Sequence, residues 1–194
     1  MIKLLESISC TLALTGGLAL TGLVLLTCVS VTGRGLNTFA HSDFLTGSFS
    51  GFAAFLLGAG VSPVNGDFEI VEAVMPFLIF AFLPICQLHG SHATVDIFSR
   101  FFPAVLNRFL IAFWEVAMSL MILLITWRLY EGLMDKYANA ETTFLLQFPI
   151  WWAFFASFVV ASIASVISVF CAGARILESI SGRVIMPVPE GAQG

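Results

Sequence analysis

One ionisable residue, Glu115, lies well inside a stretch of sequence that is apolar enough for a lipid bilayer. Carboxylates in hydrocarbon are costly and commonly mark ion pathways or contacts within a helical assembly. Arg108 precedes Glu115 by two helical turns, about 10 Å, so a helix would place both near one face. Proton or sodium coupling is one hypothesis. The favoured one is a contact with Arg108, a lipid headgroup or a partner chain, because no second polar ligand accompanies Glu115 in the predicted spans.

The three histidines could ligate a metal or a haem. A haem between helices needs histidines that face one another at membrane depth. His89 and His92 follow one apolar stretch, whereas His41 is predicted at the opposite membrane face. We therefore interpret them as interfacial residues and predict no cofactor.

Cysteine spacing and catalytic motifs are equally uninformative. The four cysteines show no C-x-x-C spacing and are interpreted as small apolar residues packed between helices. No phosphate-binding glycine loop, nucleophile elbow or paired-carboxylate arrangement appears in the sequence. The chain is therefore not expected to be an enzyme.

Four charge-poor stretches must position these residues. The chain has 194 residues, of which 59% are hydrophobic and 10% charged, whereas soluble proteins average about 25% charged. About 20 apolar residues cross a bilayer core as a helix. The sequence thus predicts an all-α integral membrane protein, one membrane domain over 1–194, with transmembrane helices at about 12–32, 69–88, 108–128 and 149–174. The net charge of −4 is small and dispersed, so no nucleic-acid partner is expected.

Local patterns refine these four helices. Glu69 and Glu72 lie in the predicted first turn of helix 2, where free N–H groups favour carboxylates. Pro76 and Pro84 indicate that helix 2 is kinked but continuous. Pro149 is expected at the first position of helix 4. In helix 1, Gly17 and Thr21 share a face, which fits a packing surface or ordinary membrane glycine content equally well.

Two shorter apolar segments, about 52–61 and 97–106, are predicted to be interfacial. Lysine and arginine are enriched in cytoplasmic loops. Five of them flank the end of the helices that carries both termini and three flank the other end, so both termini are predicted to be cytoplasmic.

The order of several residues resembles the small membrane subunit of tripartite ATP-independent periplasmic (TRAP) transporters, the DctQ-like family. That family often has an acidic residue at the start of helix 2, followed by a His-x-x-Val-Asp-like element. In the family this element comes about 23 residues after the acidic residue. Here Glu69 is followed 23 residues later by His92, and then by Val95 and Asp96. The stretch Leu88–Ser91 departs from the family's frequent arginine-rich approach to the histidine.

A second part of the resemblance precedes helix 4. There the family tends to show a Thr-Pro-Ala-Leu-Gly-Ile-Pro-like run and then an aromatic residue. Thr143, Leu146, Pro149 and Trp151 occupy the corresponding places, although Phe144 replaces the proline after the threonine. The four-helix plan matches along nearly the whole chain.

The resemblance implies a scaffold subunit in a bacterial inner membrane. A large membrane subunit would import a solute, often an organic acid, from a periplasmic solute-binding protein, driven by a sodium or proton gradient. The solute and ion sites would lie in the large subunit. The alternative, from another class, is the membrane anchor of a quinone-linked respiratory dehydrogenase, and a haem absorbance spectrum distinguishes the two.

Overall fold

The structure is a computed structural model that describes residues 2–41, 65–89 and 104–181. Within these ranges the chain forms four α-helices, namely α1 (Ile2–Ala40), α2 (Asp67–His89), α3 (Ala104–Asn139) and α4 (Trp151–Ser181). All four are long and apolar enough to cross a membrane. The predicted all-α fold with four membrane-spanning helices is therefore confirmed.

Two helices are longer than the sequence indicated. α1 has 39 residues and α3 has 36, which correspond to more than 50 Å each at about 1.5 Å per residue. The predicted end of the third helix near residue 128 is wrong, since α3 continues to Asn139. Short-range pairs support this polar extension, including Arg128 with Glu131 at 2.6 Å and Asn139 with Asp135 at 3.2 Å.

The proline predictions have different outcomes. α2 runs unbroken through Pro76 and Pro84, as expected. Pro149 is not the first residue of α4, because α4 begins at Trp151. Instead Pro149 pairs with Thr142 in an isolated antiparallel bridge, so it belongs to the loop before the helix.

The helices contact one another in the order α1, α2, α4, α3. α4 is the most buried of the four spans. On α1 it is Gly16, and not Gly17, that packs closely, because a Cβ there would lie 3.0 Å from the Cβ of Ala81. A Cβ on Gly17 would meet nothing within 4 Å. The predicted Gly17 face therefore packs against none of the residues that the structure describes.

Two buried clusters form the core. One contains Phe80, Ala81, Val160 and Ala161, where α2 crosses α4. The other lies nearer the chain termini and contains Leu88, Ile167, Cys171 and Ala174. The predicted interfacial segment 52–61 lies outside the described residues, as does 97–106 except for its last three residues, which begin α3.

Candidate functional site

The loop between α3 and α4 is a compact hairpin, residues 140–150. The N–H of Thr143 donates to the carbonyl of Phe148 at 2.9 Å, and the N–H of Phe148 donates to the Thr143 hydroxyl at 3.1 Å. The N–H of Ile150 donates to the carbonyl of Glu141 at 3.0 Å. We call the end of the bundle that carries this loop the hairpin end, and the opposite end the terminal end.

Glu69 holds the tip of the hairpin from α2. Its carboxylate accepts hydrogen bonds from the N–H groups of Leu145 at 2.6 Å and Leu146 at 2.9 Å. The Thr143 hydroxyl is also within hydrogen-bonding reach of Glu69. Glu69 and Thr143, which are 74 positions apart and both belong to the sequence resemblance, therefore meet in one contact. The carboxylate replaces water for main-chain donors that the hairpin cannot satisfy itself.

Gly66 completes this contact just before α2. Its φ of +82° is in the left-handed region, which glycine adopts at little cost. A Cβ at this position would lie 2.7 Å from Cγ of Leu146. Glycine thus allows the chain to turn into α2 directly beneath the hairpin.

Asp67 connects α1 to the same end of α2. Its Oδ2 accepts a hydrogen bond from the Ser30 hydroxyl at 2.5 Å and lies 3.4 Å from the guanidinium of Arg34. Its Oδ1 accepts the N–H of Phe68 at 2.8 Å, which satisfies a donor in the first turn of α2. Sequence reasoning missed this residue as a candidate, although an Asp at a helix start is a recognisable capping signal.

At the terminal end, Glu115 is 7% exposed and accepts a hydrogen bond from Nε2 of Gln87 at 2.5 Å. The bond joins α3 to α2, two helices with little other contact. The side chain of Arg108 lies outside the described residues, so its predicted pairing with Glu115 stays a prediction. Gln87 was missed, although a lone amide late in an apolar helix is a usable signal for a buried polar partner.

A buried ion pair on α4 lies close to this contact. Arg175 and Glu178 are 2.9 Å apart with side chains 7% and 13% exposed. Glu115 and Arg175 both lie near enough to the buried Cys171 to interact with it electrostatically. We call Gln87, Glu115, Arg175 and Glu178 the terminal polar cluster. Polar groups on α2, α3 and α4 thus meet at one level of the bundle.

Of the remaining predicted site residues, the structure describes Glu72 and Trp151, which lie outside these two contact regions. Glu72 is exposed one turn after Glu69. Trp151 packs edge-to-face on Tyr137, with ring centroids 5.5 Å apart. His92 and Asp96 lie outside the described residues.

Both contact regions hold helices and loops in place. The carboxylate of Glu69 is engaged by main-chain N–H groups and that of Glu115 by an amide. Among the described residues, no group of three or more His, Cys, Asp or Glu side chains is arranged to hold a metal ion. The two carboxylates thus link elements of the bundle through hydrogen bonds.

Comparison with known proteins agrees with the resemblance. Residues 23–182 match a family model described as "Tripartite ATP-independent periplasmic transporters, DctQ component". Comparison with curated proteins and with solved structures gives no match. The matched range includes the second half of α1, from residue 23, all of α2, α3 and α4, the hairpin and the terminal polar cluster. The chain is a multi-pass membrane protein, and it belongs to the DctQ family of tripartite ATP-independent periplasmic transporter components.

Proposed function

We propose that the chain is the small scaffold subunit of a TRAP-type secondary transporter in a bacterial inner membrane. It acts with a large transport subunit and a periplasmic solute-binding protein to import an organic acid, driven by a sodium or proton gradient. Both termini are cytoplasmic, which places the hairpin end at the periplasmic face. The family match supports the subunit assignment, and the excess of Lys and Arg at the terminal end supports the orientation.

The burial and hydrogen bonding of Glu115 are the observation that most supports the scaffold role. A coupling carboxylate must be free to exchange its cation, whereas Glu115 is buried and hydrogen-bonded to Gln87 of a neighbouring helix. Arg175 and Glu178 likewise pair with each other on one helix. These ionisable groups thus stabilise the bundle itself. The conformational changes of transport then take place in the large subunit.

Co-purification from the native membrane tests this assignment. The tagged chain, extracted in mild detergent, is expected to carry a larger multi-pass membrane protein in fixed stoichiometry. An absorbance spectrum of the same preparation should lack haem bands. Recovery of the chain with a haem-containing dehydrogenase, and without such a membrane partner, would contradict the assignment and favour the respiratory anchor, which the family match does not support.

A further inference from the structure

A groove opens at the hairpin end between α2 and α3. The two helices are joined near the terminal end by Gln87 and Glu115. At the hairpin end, residues of α2, α3, α4 and the hairpin line one cavity. The cavity holds about 450 Å³, within the roughly 300–1,000 Å³ of typical small-molecule sites. A ligand of that size could therefore lie there without displacing any helix.

The groove is polar at one end and apolar along its length. Glu69 and Glu72 lie at its outer end, beside the hairpin. Its walls and floor continue inward as apolar side chains, chiefly Ala73, Pro76, Leu129, Ala153 and Phe154. From Glu69 to Pro76 the groove covers about 10 Å of the α2 axis. Its polarity therefore changes from charged to apolar toward the bilayer centre.

Glu72 differs from the other acids at this end. It makes no hydrogen bond or ion pair with any residue that the structure describes. The other described carboxylates of the hairpin end each have at least one partner: Asp67, Glu69, Glu131, Asp135 and Glu141. An unpaired carboxylate beside an apolar groove attracts a complementary cation.

The backbone adds a second acceptor at the same place. Pro76 lies four residues after Glu72 and has no N–H, so the main-chain carbonyl of Glu72 loses its usual helical donor. The hydroxyls of Thr143 and Ser157, which also line the groove, bond to Glu69 and to the carbonyl of Ala153. The outer end of the groove therefore holds a carboxylate without a partner among the described residues and a carbonyl without its usual helical donor, both from Glu72.

Two exposed phenylalanines flank these acceptors. Phe68 is 74% exposed and Phe144 is 92% exposed, and both line the groove. The face of an aromatic ring attracts a cation within about 6 Å of its centroid. Acceptors, negative charge and aromatic rings together select a cationic group that has N–H donors and an apolar body.

We propose that this groove binds a membrane phospholipid with a primary-amine headgroup, such as phosphatidylethanolamine. The ammonium group has three N–H donors for the carboxylate and carbonyl of Glu72, and an acyl chain fills the apolar part past Pro76. A bilayer lipid has this same polarity, with charge at the surface and hydrocarbon at depth. A lysine or arginine side chain from a partner protein would reach Glu72 but would leave the deeper part of the groove empty.

Competition between two lipids tests the proposal. The full chain, in its purified assembly, is incubated with equal amounts of phosphatidylethanolamine and phosphatidylcholine that carry identical acyl chains, and bound lipid is counted by native mass spectrometry. Choline keeps the positive charge but lacks N–H donors, so the ethanolamine lipid should be retained preferentially. Glu72→Gln should reduce that preference about fivefold, the upper range for an exposed ion pair.

Two further variants complete the test. Glu6→Gln is the matched control, because Glu6 is also exposed and without a partner among the described residues but lies at the terminal end; it should leave the preference unchanged. Ala73→Phe fills the groove and should reduce retention of both lipids while helix content, read by circular dichroism, is kept. Equal retention of the two lipids by the wild type would overturn the proposal. So would a Glu72→Gln variant that keeps the preference, or one that loses a protein partner and no lipid.

Discussion

At the residue scale, the central feature is a buried carboxylate that is held by an amide. Placing a charge at the centre of a spanning helix costs about 2.5–3.5 kcal/mol on insertion scales. The hydrogen bond from Gln87 to Glu115 offsets part of that cost. The sequence pointed to Glu115 because it is an acid in an apolar stretch. It could not pair Glu115 with Gln87, because the two residues are 28 positions apart and meet only when α2 and α3 converge.

We expect Glu115→Gln to lower stability modestly, since a neutral bond to Gln87 replaces a charge-assisted one. Glu115→Ala should cost more, about 1–3 kcal/mol, because it leaves the buried amide of Gln87 without this acceptor. Thermal unfolding in detergent measures both. A double-mutant cycle with Gln87→Leu should show coupling between the two positions. If Glu115→Gln left the assembly intact while uptake lost its cation dependence, Glu115 would be a coupling residue instead.

The second residue-scale prediction concerns Glu69. Glu69→Gln retains one acceptor oxygen where the wild type offers two, to Leu145 and Leu146. Amide hydrogen exchange at these two positions should therefore accelerate. Glu6→Gln, an exposed position of α1 at the terminal end, removes equal charge and serves as the control, which should leave the exchange rates unchanged. Unaltered exchange in Glu69→Gln would show that the hairpin is held without this contact.

At the element scale, the four spans were predictable and their ends were not. Spans follow from runs of about 20 apolar residues, a requirement of the bilayer. The extension of α3 to Asn139 contains charged pairs such as Arg128 with Glu131, and a search for charge-poor stretches ends before them. The resemblance singled out Glu69 and Thr143 in two separate parts of the chain and did not pair them. That the contact is to main-chain N–H groups of the hairpin emerges only from the structure.

The turn into α2 can be tested through its glycine. Gly66→Ala should destabilise the protein by at least about 1–2 kcal/mol, the cost of a left-handed conformation for a residue with a Cβ, and the contact with Leu146 adds to it. Gly35→Ala in α1 is the control, because its Cβ would meet nothing within 4 Å; it should be neutral or slightly stabilising. Equal unfolding temperatures for the two variants would contradict the described turn.

At the scale of the whole molecule, the orientation in the membrane is testable by cysteine labelling. In a background without Cys10, Cys28, Cys86 and Cys171, single cysteines are introduced at Asn139 and at Ser99. An impermeant thiol reagent added to intact cells should label position 139 at the hairpin end and leave position 99 unlabelled. The opposite pattern would reverse the proposed topology.

The central claim is that this chain supports transport without carrying solute itself. The described residues give it internal contacts through Glu69 and Glu115, and its family is a component of a tripartite transporter. The most direct measurement is solute uptake into proteoliposomes that contain this chain alone, or this chain with its co-purified large subunit and the binding protein. We predict gradient-driven uptake only with all three components. Uptake by this chain alone would contradict the account.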